Sequence, residues 1–150
     1  MSRQRVQDTI DWCADEVRHQ SRDWSHDCLM MTRTAWDQAP WGLSAKIAYY
    51  NVPYKHRHYT LAKNVPAGAP CFGLLSSHWG HAWIAGRGKP DARVGFTVDY
   101  RTRGSIDRAP LDLYGWTKDH KVRWTDWSPY GMLPLWADEW NLKYIPRPKH

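Results

Sequence analysis

Apolar and polar positions change their spacing partway along this chain. Val6, Ile10, Cys13 and Val17 recur at helical spacing, with Arg5, Asp8, Asp15, Glu16 and Arg18 between them, which predicts a helix over about Val6–Arg22. A polar turn, Asp23-Trp24-Ser25-His26-Asp27, leads into a second helical run over Cys28–Trp36, where Leu29, Trp36 and either Thr32 or Arg33 share a side. Pro40-Trp41-Gly42 breaks that helix. Ser44 then caps a short third helix that runs to about Tyr50 and is stopped by Pro53. The segment Tyr54–Tyr59 is polar and aromatic and reads as a loop.

From Pro66 onward the pattern shortens. Pro66-Ala67-Gly68-Ala69-Pro70 is a turn feeding a strand over Cys71–Leu75. Further strands fall on His81–Ala85 and Arg93–Asp99, joined by a hairpin-like loop over Gly86–Asp91. Gly104 marks a turn before Ser105–Arg108, and the tail carries short strands over Val122–Asp126 and Leu142–Ile145 with a helical turn near Trp136–Trp140. Helices first and antiparallel strands second define an α+β domain over residues 1–150, with the N-terminal helices packed on one face of a small sheet.

Composition sharpens this picture in three places. Eleven Trp and eight Tyr stand against two Phe. Rings with an apolar body and a polar edge suit the walls of a groove, and equally the core of a small domain. Lys plus Arg exceeds Asp plus Glu by 21 to 15, for a net charge of +6. That favours acidic polymers such as nucleic acid, teichoic acid or peptidoglycan, yet the basic residues are scattered and form no nucleic-acid motif. Cysteines at 13, 28 and 71 form no Cys-x-x-Cys pair and leave at least one thiol unpaired, so a disulfide scaffold is not expected. No signal peptide and no membrane-spanning apolar run is present, so the protein is expected to be made in a cytoplasm and delivered elsewhere by other factors.

The candidate chemistry lies where the helical and strand patterns meet. Asp27 is placed to cap the second helix, and Cys28 to occupy its first turn. The positive end of a helix favours a thiolate, so the thiol pKa is expected to fall from about 8.5 toward about 4–7. Gly80-His81 opens a strand, Gly80 allowing the Cys28 helix to approach closely, and Asp99 ends the next strand. A thiol, an imidazole and a carboxylate that fixes the ring tautomer are the parts of a thiol hydrolase. Cys13 reads as a small core residue.

Three segments carry a resemblance. Asp27-Cys28-Leu29-Met30-Met31-Thr32-Arg33-Thr34-Ala35-Trp36, Val65-Pro66-Ala67-Gly68-Ala69-Pro70-Cys71-Phe72-Gly73 and Gly80-His81-Ala82-Trp83-Ile84 together resemble the NlpC/P60 and CHAP group of papain-like peptidoglycan hydrolases, most of all the small versions from phages of actinobacteria. The similarity covers about Trp24 to Gly104, with Ala69 where the Pro-Gly-Asp turn has aspartate. It implies Cys28 as nucleophile, His81 as general base and acid, and Asp99 as orienting residue, with Thr97 and Asp126 as alternatives for the third position. It implies no cofactor and no metal. The implied substrate is an amide of bacterial peptidoglycan, in the stem peptide or between muramic acid and L-alanine. Trp24, Trp79 and Trp83 flank the site in sequence and would wall the groove. A phage endolysin or virion-associated lysin is the implied setting, with a holin or the virion giving access to the wall.

Two other classes stay open. His56-x-His58 and His78-x-x-His81, with Asp99, offer ligands for a zinc amidase that would activate water. A non-catalytic virion or wall-binding protein would use the charge and the tryptophans for binding alone. Nucleic-acid binding accounts for the charge but not for the Cys, His and acid order.

Overall fold

A computed structural model describes residues 6–37, 44–88, 93–112, 120–126 and 139–140. The helices are α1 (Val6–Arg18), α2 (Cys28–Ala35) and α3 (Ala45–Asn51). The strands are β1 (Arg57–Leu61), β2 (Pro70–Gly73), β3 (His81–Ala85), β4 (Val94–Val98), β5 (Ile106–Pro110) and β6 (Lys121–Thr125), with 3-10 turns at Tyr54–His56 and Ala62–Asn64. The strands form one sheet in the order β1-β6-β2-β3-β4-β5, every neighbouring pair antiparallel. The α+β arrangement follows the expected one.

The helices pack on the strands that carry the candidate residues. α2 lies against β3 and β4, α3 against β2 and β3, and α1 against β5. α1 buries Val6, Ile10 and Cys13 as their spacing requires, but it stops at Arg18 rather than Arg22. Beyond it the chain is bent by side-chain bonds: Glu16 accepts from Ser21 N (3.1 Å) and Gln20 Nε2 donates to Gly104 O (2.7 Å). Ser44 caps α3 as expected, accepting from Ile47 N (3.3 Å).

Two segments depart from the sequence reading. Arg57–Tyr59, the second half of the expected Tyr54–Tyr59 loop, belong to an edge strand, Arg57–Leu61, whose burial alternates with His58 and Thr60 inside. Its inward positions are polar because each has a partner: His58 Nε2 meets Asp126 Oδ2 (2.9 Å) and Thr60 Oγ1 accepts from Trp124 Nε1 (3.1 Å). Polar inward residues hide the alternation that marks a strand. Ser105–Arg108 contributes to β5, which pairs along the whole of β4. The strand expected over Leu142–Ile145, and the turn near Trp136–Trp140 apart from Glu139 and Trp140, lie outside the described residues.

Among the described residues, most tryptophans belong to the core, and Trp79 is the exposed exception. Trp36, Trp83 and Trp124 are at most 1% exposed. Each indole N–H finds an acceptor: Gly68 O for Trp36 (2.7 Å), Leu111 O for Trp83 (3.2 Å) and the Thr60 hydroxyl for Trp124. A satisfied N–H removes the cost of burying the polar edge. Gly68, at φ +85°, completes the turn before β2, where a Cβ would press on the Trp36 ring at 3.1 Å.

Candidate active site

Cys28 is the first residue of α2. The turn before it is held by Asp99, which follows β4 at φ +60°. Asp99 Oδ2 accepts from His26 N (2.9 Å) and Oδ1 from Gly104 N (2.6 Å). Trp24 N in turn donates to Gly104 O (2.9 Å). One carboxylate therefore ties the loop that presents Cys28 to the turn between β4 and β5.

Asp27 occupies the N-cap position, but its side chain accepts no helix amide. Arg22 Nη2 holds the carboxylate at 2.6 Å instead. A charge-assisted bond is stronger than a neutral amide bond, and it takes the oxygen that would have capped the helix. The expected capping interaction is replaced by this ion pair.

The Cys28 thiol packs against a cluster formed by Leu29, Ala45, Ala48, Tyr49, Phe72 and Ala82. Burial in that cluster pushes the thiol up to about 11, even though the nearby backbone amides of Ala82, Leu29 and Cys28 favour the thiolate. The residue keeps partial exposure while its sulfur is desolvated. The expected fall in thiol pKa is thus reversed, because desolvation outweighs the helix-end amides. Cys13 and Cys71 are wholly buried, and burial raises their thiols as well.

The Ala82 amide places the sulfur beside the residue that follows His81, the first of β3. His81 Nε2 lies 2.7 Å from Thr97 Oγ1, and the ring is nearly parallel to that of Trp83 at 5.9 Å. Burial pulls the imidazole down to about 4, with the Asp99 charge acting in the opposite direction. The same charge raises the Cys28 thiol, so Asp99 acts electrostatically on both groups. At neutral pH both the thiol and the imidazole are uncharged.

Cys28, His81 and Asp99 thus gather at one end of the sheet, but with changed roles. Thr97 holds the His81 ring, and Asp99 holds backbone. The signal for Thr97 is available from pairing: in an antiparallel ladder with Ile84 opposite Phe96, residue 97 lies diagonally across from residue 81 on the same face. Asp126 is elsewhere, between His56 Nδ1 (2.7 Å) and His58 Nε2 (2.9 Å).

Of the three tryptophans expected in the groove, only Trp79 is exposed, at 67%. Trp83 is in the core. Trp24 is 3% exposed, donates to Glu16 Oε2 (3.0 Å) and lies under the Arg22 guanidinium (4.5 Å), so it anchors the loop before Cys28. Trp79 precedes Gly80, whose φ is +68° and whose missing Cβ leaves room for the Lys46 backbone, 3.0 Å from where that atom would sit. The close approach at Gly80 is made by α3 and not by the Cys28 helix as expected: Lys46 N donates to Trp79 O (2.9 Å). Ile47 and Leu74 are also exposed on these two segments.

The residues considered for zinc point to different partners. His56 and His58 share Asp126, His78 stands edge-on to Trp79 (4.3 Å), and Asp99 serves two amides. Among the described residues, no group of three or more His, Cys, Asp or Glu is arranged to hold a metal ion. No helix of the described residues is long and apolar enough to cross a membrane. No family model, no curated protein and no solved structure matches the chain.

Proposed function

We propose that this protein is a papain-like thiol hydrolase that cleaves an amide bond in bacterial peptidoglycan. One observation carries the reading: Cys28, at the head of a helix, rests against the Ala82 amide beside His81, whose ring is held by Thr97. In this scheme the Cys28 sulfur attacks the amide carbonyl while His81 accepts the thiol proton. Because thiol and imidazole start neutral, the proton moves as the carbon–sulfur bond forms, and no ion pair stands ready beforehand. The Cys28 amide at the helix start meets the developing oxyanion. His81 then gives the proton to the leaving amine as the carbon–nitrogen bond breaks. Water hydrolyses the thioester, releasing the acid and restoring the thiol. Trp79, with Ile47 and Leu74, supplies an apolar rim for the substrate.

The setting that fits is a phage endolysin or a virion-associated lysin, reaching the wall through a holin or with the particle. The test is clearing of purified cell walls by the wild type and by Cys28→Ala, with mass spectrometry of the released fragments. New amine and carboxyl ends from the wild type alone support the reading, and equal clearing by both proteins overturns it. A non-catalytic wall-binding role is favoured by the uncharged thiol and imidazole, and release of no fragment by the wild type selects it.

A further inference from the structure

Basic residues that are scattered in sequence come together over the β1–β6 edge of the sheet. The register pairs Tyr59 with Arg123, Leu61 with Lys121 and Arg57 with Thr125, so Arg57, Tyr59, Lys121 and Arg123 share a face. Cations and rings alternate along it. Lys121 Nζ and the Arg123 guanidinium lie 5.6 and 4.7 Å from the Tyr59 ring centroid. The Arg57 guanidinium lies 5.5, 5.7 and 5.2 Å from the rings of Tyr49, Tyr50 and Tyr54. Tyr49 joins the two groups, since both arginines act on its hydroxyl.

The strip also borders the candidate site. Tyr49 packs on Phe72 (5.2 Å), within the cluster that holds the Cys28 thiol. Arg57 and Arg123 form no ion pair with a carboxylate among the described residues. No Asp or Glu occurs between Gln38 and Pro90, the stretch that supplies α3, β1 and β2. Guanidinium groups fixed by ring contacts, with no carboxylate partner among the described residues, are preorganised for bidentate contacts to phosphate.

We propose that this strip binds an anionic polyol-phosphate polymer of the bacterial wall, and thereby holds the Cys28 site against its substrate. The choice of a wall polymer and the second half of that statement rest on the hydrolase reading, but the binding of a polyol phosphate does not. A nucleic acid fits less well, because single-strand binders offer free ring faces for base stacking. Here the ring faces of Tyr59 and of the three tyrosines around Arg57 are engaged by cations.

The experiment uses the full chain carrying Cys28→Ala and a fluorescent, unsubstituted glycerol-phosphate oligomer, with single-stranded DNA of equal charge as comparison. The oligomer contains no amide, so its binding is read apart from hydrolysis. Arg57→Gln with Arg123→Gln is expected to weaken oligomer binding about tenfold or more, and added salt to weaken it steeply. Lys121→Gln, a single change at the strip's outer end, is expected to weaken it in the same direction and guards against misfolding of the double variant. Unchanged affinity in both variants overturns the proposal, as does equal or tighter binding of the DNA. Retained oligomer binding by a chain whose wild type releases no wall fragments would discard the hydrolase while leaving the strip intact.

Discussion

The hydroxyl of Thr97 lies 2.7 Å from His81 Nε2, across the β3–β4 pair. A hydroxyl can fix the ring orientation, but it brings no negative charge to stabilise an imidazolium. This agrees with an imidazole that burial holds near 4. The Asp99 carboxylate hydrogen-bonds the amides of His26 and Gly104 rather than the ring, and its charge only partly offsets the effect of burial on His81. The site therefore separates two tasks: threonine positions the His81 imidazole, and aspartate positions the loop that carries the Cys28 thiol.

Thr97→Val keeps the shape of the side chain and removes the hydroxyl. A neutral hydrogen bond contributes about 1 kcal/mol, so wall-clearing activity is expected to fall by roughly five- to tenfold. Thr97→Ser should recover most of it, and thermal melts should show both variants folded. A larger loss in Asp99→Asn, at unchanged melting temperature, would give the orienting role back to the aspartate.

Asp99→Ala removes the acceptor of two backbone amides and places alanine at φ +60°, where only glycine, asparagine and aspartate are comfortable. Loss of stability by about 2–4 kcal/mol is expected, read from urea unfolding. Asp99→Asn tolerates the backbone and keeps one acceptor oxygen, so it should lose less. Equal stability of Asp99→Ala and the wild type would remove the carboxylate from its role as a tie.

Iodoacetamide reads the thiol directly. Cys28 is partly exposed, whereas Cys13 and Cys71 are buried, so Cys28 should be alkylated first. Only the thiolate reacts. With the thiol raised to about 11, the reactive form is scarce at pH 7 and grows as the pH rises. The rate is expected to climb about tenfold per pH unit between about pH 7 and 10. A rate that levels off near neutral pH would show a stabilised thiolate and overturn the assignment of desolvation as the dominant effect.

Trp79 and Trp83 are chemically identical and differ in exposure, 67% against 1%. Trp83→Ala empties a core position and is expected to cost about 3–5 kcal/mol of stability. Trp79→Ala should leave the melting temperature within a degree or two and raise the KM for wall fragments. An unchanged KM would take Trp79 out of the substrate rim.

Much of this was readable from the chain because periodicity and punctuation are local. The Cys28 helix, its polar turn, the Ser44 cap and the Gly80-His81 strand start all followed from spacing and turn chemistry. β1 was not readable, since its inward residues are His58 and Thr60, and their burial depends on Asp126 and Trp124 far along the chain. The Asp27 cap differs from expectation for a more local reason, the competing guanidinium of Arg22 five residues back. A carboxylate chooses between a helix amide and a guanidinium only once Arg22 has been brought alongside.

The amino-acid order by itself determined an α+β domain with a thiol at a helix start and an imidazole at a strand start, because these follow from neighbours a few residues apart. The tertiary structure alone decided the charge state and the division of labour. Desolvation is a property of the cluster around Cys28 and His81, and hydrogen-bond partners such as Thr97, His26 and Gly104 are assigned only when strands and loops distant in the chain meet. The gathering of Arg57, Arg123 and Lys121 has the same origin, since β6 joins β1 only through the sheet.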